Sequence, residues 1–317
     1  MKLITFVIRI FLDAYRDTKR VVQYFNLIEI NGLSVVPKFF FIRLFFSFST
    51  VRNFKKIEII KNVFFNNFFE QNNVSSENIA IQIDKLGYSD TYTLKENYTN
   101  DVIKEIFVNQ EIKYKKSNND STYLKKMENE DLNSYLARLK KKNVSRITGF
   151  IDLNNFGQIR KLLTSEPFTS LASNYLNCKS FSISAAYFIS NPCDISEEEK
   201  YRNAQYFHWD NDFTKFLKLY IYLTDVETGS GPHIFIPGTH KNKLFKHRLC
   251  RLYSDQNIYE AYKERIEFLG NKGSLFFVDS YGLHKGETPR NKSRLILNVH
   301  FGKQKILYSK NDIYFKI

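Results

Sequence analysis

The chain is short of cysteine, of long apolar runs and of acidic residues, and each shortage excludes something. Cys178, Cys193 and Cys250 are odd in number and share no metal-like spacing. That argues against a disulfide framework and fits a reducing cytoplasm. The opening stretch, MKLITFVIRIFLDAYRDTKR, starts like a signal peptide. Its apolar run is broken by Arg9, ends at Asp13 and lacks a small-residue cleavage site. The second apolar run, KFFFIRLFFSF, is too short to span a bilayer. Acidic residues number 33 against 47 basic ones, a formal charge of +14. Two readings of that excess stand side by side. AT-rich coding enriches Lys, Asn, Ile, Phe and Tyr together without selection on charge; the other reading is a preference for anionic partners. No nucleic-acid-binding module is recognisable, so nucleic acid is not an expected partner.

What is present is a globular composition, 43% hydrophobic and 25% charged, long enough for one large domain or two modest ones. Residues 1–72 read as a Phe-rich, basic leader. Leu3, Val7, Phe11 and Ala14 recur at helical spacing, and more helix is expected through Phe39–Phe69. These helices are expected to pack on the core that follows; docking on a membrane surface is the other use of such a composition. From Ser75 a short helix is expected, then a turn at Gly87. Thr93 is read as the cap of a second helix, LKENYTNDVIKEIF. The charged run 114–143 reads as a surface helix with a loose lead-in. After Phe150 the texture changes to strands: FSISAAYFIS, AQYFHWD, FLKLYIYLTDV, HIFIPGTH, SLFFVDSYGLH and RLILNVHFG. Short aromatic and β-branched segments between Gly, Pro, Asn and Asp turns predict an antiparallel sandwich or barrel. A helical insertion is expected at about 244–268.

Three segments carry the chemistry. In the first, His208 and Asp210 are two apart on a strand and so share a face. A metal site, an acid–base pair and a surface ion pair all fit that pair alone. In the second, GSGPHIFIPGTH, His233 and His240 flank a turn and are expected to hydrogen-bond locally. The third, SYGLHKGETPRNKSRLILNVHF, ends a strand at His284 and starts another at Arg294. Two histidines and one carboxylate are the facial ligand set of non-heme iron(II) oxygenases. Strand alternation places Arg294, Ile296, Asn298 and His300 on one face and Leu295, Leu297, Val299 and Phe301 on the other. A guanidinium pointing inward needs an anionic partner, which a dicarboxylate supplies through a bidentate fork.

In order and spacing, His208-x-Asp210, His284 and Arg294, with YLTDV, GPHIFIPGTH and LHKG between them, resemble the phytanoyl-CoA dioxygenase family of Fe(II)/2-oxoglutarate-dependent oxygenases. The likeness covers about 75–302 and is tightest over 204–302. It implies a mainly β, α+β fold, a double-stranded β-helix (jelly-roll) core with an N-terminal helical region. The oxygenase domain would span 75–317 and its metal-binding core 181–302. By resemblance, His208, Asp210 and His284 are the iron ligands and catalytic residues. Arg294 anchors the distal carboxylate of 2-oxoglutarate, with Arg290 the competing candidate, and Tyr220 lies against the cosubstrate. Asp212 is the weaker alternative to Asp210. The implied activity couples conversion of 2-oxoglutarate and O2 to succinate and CO2 with hydroxylation of a small-molecule, carrier-linked or lipid-linked substrate. Halogenating relatives replace the acid by a small residue, so Asp210 favours hydroxylation. A jelly-roll binding protein without catalysis is the alternative. His300 is expected to be a satisfied core histidine. Lys241, Lys243, Lys246, Arg248 and Arg251 form either a solvated face or a border of the site that receives an anionic substrate group. The expected location is cytoplasmic, with a membrane-peripheral one the corollary of the docking reading, and the sequence carries no signal for an oligomeric state.

Overall fold

The computed structural model describes residues 57–108, 113–115, 121–123, 130–210, 215–250, 252–303 and 312–316. The amphipathic helix expected near the N-terminus, Arg251 and Asp212 lie outside the described residues. In chain order the helices are α1 (Ser76–Leu86), α2 (Glu96–Val108), α3 (Leu132–Lys141), α4 (Gly157–Leu163), α5 (Glu166–Leu176), α6 (Glu197–Arg202), α7 (Lys246–Leu249) and α8 (Asp255–Tyr259). The strands are β1 (Tyr92–Thr93), β2 (Lys113–Lys115), β3 (Ser121–Tyr123), β4 (Arg146–Ile151), β5 (Ser180–Ser190), β6 (Phe207–His208) and β7 (Phe216–Tyr222). They continue as β8 (His233–Phe235), β9 (Leu252–Tyr253), β10 (Ile266–Phe268), β11 (Ser274–Val278), β12 (His284–Gly286), β13 (Arg294–Gly302) and β14 (Ile313–Lys316).

Two antiparallel sheets make the core. The large one runs β1-β11-β7-β13-β5-β14, with β4 sharing the outer edge of β5. The small one runs β10-β8-β12-β6-β9. The mainly β jelly-roll expectation is met. β13 shows why the large sheet is two-faced: Leu295, Leu297, Val299 and Phe301 are fully buried in the main apolar cluster. That cluster also takes Ile79, Ile83, Leu136, Leu163 and Leu171 from the helices, so a helical layer covers the outer face. The opposite face of β13 turns toward the small sheet. There Ile296, Asn298 and His300 pair with Tyr222, Tyr220 and Lys218 of β7, and Arg294 pairs with Ser190 of β5.

Several local expectations are corrected. Residues 57–75 carry no helix, so the helix expected through Phe39–Phe69 does not occupy its described end. That stretch nonetheless packs on the core. Phe65 and Phe69 stack at 4.4 Å, Phe168 meets Phe65 edge-on at 5.1 Å, and both leader rings are fully buried. Each such burial contributes about 1.5–3 kcal/mol. Thr93 is a β1 residue paired with Ser274 and does not cap the following helix, which begins at Glu96. The charged run carries its expected helix at Leu132–Lys141, while β2 and β3 pair antiparallel where a loose lead-in is expected. The insertion at 244–268 holds two short helices and two strands, β9 on β6 and β10 on β8. Such strands are too short to show a period in sequence, but they complete the small sheet. No helix among the described residues is long and apolar enough to cross a membrane.

Candidate active site

The two sheets enclose a cavity of about 320 Å³. On the small-sheet side, β6 and β12 pair so that His208 lies opposite His284. Their ring centroids are 4.2 Å apart. Two residues past the first histidine, the Asp210 backbone N–H donates to Ser280 O at 2.9 Å. This turns its carboxylate toward the pair, with Oδ2 at 3.7 Å from His284 Nε2. One potential ligand atom from each of His208, Asp210 and His284 lies within 4.8 Å of the others, and all three residues are buried.

The surroundings fix how each group presents itself. His208 Nδ1 is 2.9 Å from Tyr206 O, and His284 Nδ1 is 2.9 Å from Gly282 O. A carbonyl can only accept, so each Nδ1 carries the proton and each Nε2 keeps its lone pair for a metal. Asp210 Oδ2 accepts from Ser280 Oγ at 2.8 Å and from Lys218 Nζ at 2.5 Å. His233 extends the histidine group: its ring stacks on His284 at 5.3 Å and lies 4.6 Å from Tyr220. Burial, then the neighbouring His284 and Arg294, push its pKa well below the usual histidine range, so it is neutral.

The large-sheet side supplies cations. Arg294 is buried, and its Nη1 donates to Gly231 O. Its Nε has no partner, and neither do His233 Nε2 and Asn298 Oδ1. A buried donor left in that state costs about 1–3 kcal/mol. Gly286 makes room for the guanidinium: a Cβ there would sit 3.2 Å from Arg294 Nη2. Burial lowers the Arg294 pKa while the Tyr222 and Tyr220 hydroxyls oppose that shift. An arginine stays charged regardless.

This donor set fits the implied groups. Two neutral imidazoles and one carboxylate with open positions suit Fe(II). The orphaned Nε of a buried guanidinium suits the far carboxylate of a dicarboxylate cosubstrate.

A family model for phytanoyl-CoA dioxygenase (PhyH) matches residues 103–295. The chain belongs to the phytanoyl-CoA dioxygenase family. No curated protein sequence matches this family member. Among solved structures it is similar to HygX from Streptomyces hygroscopicus with nickel and 2-oxoglutarate bound. Identity is 9%, the match covers 72% of this chain and 87% of the other, and the TM-score is 0.50. It is also similar to the non-heme alpha ketoglutarate dependent epimerase SnoN from nogalamycin biosynthesis, at 13% identity, 72% and 80% coverage and a TM-score of 0.48. The carbocyclase SnoK from the same biosynthesis is similar at 14% identity, 73% and 85% coverage and a TM-score of 0.47. At these identities the likeness is one of fold.

Of the residues singled out in sequence, this PhyH-family chain brings His208, Asp210, His284, Arg294, Tyr220 and His300 to one cavity. Arg290 is exposed in a turn, its N–H bonded to Gly229 O at 2.8 Å, and does not line it. His240 bonds Asp84 O at 3.0 Å, across a long sequence separation rather than locally. His233 lies on the expected strand, as β8, but instead of hydrogen-bonding locally its ring faces the cavity with Nε2 unpartnered. His300 lies 4.9 Å from the Phe216 ring and lines the same space. The described residues of the basic cluster, Lys241, Lys243, Lys246 and Arg248, do not line it. Lys243 is buried, donating to Thr239 O and Tyr281 O and sitting 3.6 Å over the Tyr281 ring. Arg248 donates to Lys243 O, and Lys241 pairs with Asp84 at 2.7 Å. They moor the insertion. Two charged cavity residues are not marked by the sequence. Lys218 shares strand parity with Tyr220 and could have been found that way. Arg146 lies in a stretch not read as a strand.

Proposed function

We propose that this chain is an Fe(II)/2-oxoglutarate-dependent oxygenase that hydroxylates a small molecule. The observation carrying this reading is the buried His208–Asp210–His284 triad facing, across one cavity, a guanidinium with an unpaired donor. His208, Asp210 and His284 would hold the iron, and Arg294 the far carboxylate of 2-oxoglutarate. Bound together, the metal and cosubstrate supply the oxidising power, with O2, for attack on an unactivated C–H bond.

The protein's own work is positioning and exclusion. The Tyr206 and Gly282 carbonyls fix the tautomer and tilt of the two imidazoles. Ser280 and Lys218 hold one carboxylate oxygen of Asp210, so the acid enters the site pre-oriented. Tyr220, stacked on Phe276, and Tyr222, edge-on to it, make an aromatic wall beside Arg294 whose low polarity strengthens any charge contact made there. An intact Asp210, with no small residue in its place to admit halide, supports hydroxylation over halogenation.

The test is turnover of the cosubstrate. Aerobic protein with Fe(II) and 2-oxoglutarate is expected to release succinate slowly without substrate, and Asp210→Ala to release none. Equal succinate from wild type and Asp210→Ala would move the reading to a binding protein.

A further inference from the structure

The cavity holds a second guanidinium, one that the triad and Arg294 do not account for. Arg146 on β4 and Arg294 on β13 both lie in register with Ser190 of β5. Directly paired residues share a face, and two strand spacings separate the guanidinium-bearing backbones by about 10 Å. Arg146 Nη1 donates to Asn203 O, and its guanidinium lies 4.6 Å over the Phe188 ring. An arginine can lie over an aromatic face and still donate from its edges, and Arg146 lines the cavity. Among the described residues no carboxylate pairs with it.

Charge points the same way. Cavity-lining Arg146, Arg294 and Lys218 face a single lining acid, Asp210. Glu287, the next acid toward Arg294, is taken by Lys285 at 2.6 Å. A metal dication and a cosubstrate dianion cancel each other, so the loaded site keeps two positive charges in a poorly solvated space. Burial above all, and the proximity of Arg294 second, lower the Arg146 pKa to about 10. Position separates their duties. Arg294 sits at the buried end, whereas Arg146 opens a strip on the edge strand, Arg146–Thr148–Phe150, whose last ring is 64% exposed at the cavity rim.

We propose that Arg146 is the anion-binding residue of the substrate subsite, and that the substrate is a small molecule bearing a carboxylate, sulfate or phosphate. Its apolar body lies along Thr148 and Phe150. The inference rests on the oxygenase reading for which ligand occupies the Arg294 end.

The experiment titrates phenyl phosphate, with benzyl alcohol as its neutral counterpart, into protein saturated with Zn(II) and 2-oxoglutarate, and reads affinity by calorimetry. Wild type is expected to prefer phenyl phosphate. Arg146→Gln should weaken phenyl phosphate about tenfold or more, as loss of a charge-assisted fork would, with 2-oxoglutarate affinity changed less than about threefold. Arg146→Lys should recover most of the loss. Where Arg146→Gln fails to fold, Thr148→Asp should abolish phenyl phosphate binding and spare 2-oxoglutarate. The proposal is overturned if Arg146→Gln weakens 2-oxoglutarate as much as phenyl phosphate, or if wild type does not prefer the anion. Failure of the oxygenase reading looks different: no variant binds 2-oxoglutarate, while phenyl phosphate still responds to Arg146.

Discussion

The small sheet presents the two histidines of the candidate metal site from strands of two and three residues. The large sheet presents Arg146, Lys218 and Arg294 from strands of six, seven and nine. In the long strands, ladder register alone sets where each side chain points. Short strands have few ladder bonds, so side chains outside the ladder must hold them. Thr239 Oγ1 accepts from Leu283 N at 2.8 Å, Ser280 and Lys218 hold Asp210, and the Lys243-moored insertion adds β9 beside β6. The difference teaches that the metal half of the cavity depends on individual tethers, while the anion half depends on the sheet as a whole. Substitutions on the two sides should therefore fail in different ways.

The largest effect is expected from Asp210→Ala. Loss of one of three ligands should abolish succinate formation and drop metal affinity beyond the ~10–100-fold that outer partners cost. Metal analysis after gel filtration checks it. On the other wall, Arg294→Met should leave metal content intact and raise the 2-oxoglutarate dissociation constant. A hydrogen bond to a charged group contributes about 1.5–3 kcal/mol, so a shift of roughly 10–100-fold is expected in a binding titration. Lys218→Met crosses the boundary, since the lysine comes from the large sheet but tethers a small-sheet ligand. Metal affinity should fall about tenfold with 2-oxoglutarate affinity following only through the metal; an effect on 2-oxoglutarate alone would break the division.

The smallest effect concerns pH. His247 in the insertion packs between Tyr253 and Tyr262, and burial, with Lys246 nearby, lowers its pKa to about 4. The unfolded chain, near 6.5, binds the proton first as pH falls. Stability contributed by neutral His247 is therefore complete above about 6.5 and is lost progressively toward about 4, on the order of 1–2 kcal/mol by pH 4.5. Urea midpoints at pH 7 and 4.5 should differ less in His247→Gln than in wild type.

Much of the large sheet is legible in the sequence because long strands write their period into it. The alternation from Arg294 to Phe301 by itself separates the apolar face from the cavity face. The His208–Asp210 spacing is equally readable, because two-residue parity survives even in a short strand. The strand at His233 is legible too, but not its facing the cavity, because β8 is only three residues long and shows no period that would mark a face. Arg146 was invisible for a different reason. RITGFI is brief, interrupted by Gly149 and preceded by a lysine run, so neither period nor composition marks it as a strand. β9 and β10 belong to the small sheet through pairing partners far away in sequence, which no local pattern encodes.

The central claim is that His208, Asp210 and His284 hold a metal to which 2-oxoglutarate binds with help from Arg294. Its most direct test is an anaerobic titration of 2-oxoglutarate into protein carrying Fe(II), followed by the visible absorption of the iron–cosubstrate chelate. The account predicts a band saturating at one iron per chain, absent in Asp210→Ala and requiring far more 2-oxoglutarate in Arg294→Met. Protein that retains no iron and develops no band at any 2-oxoglutarate concentration would contradict it.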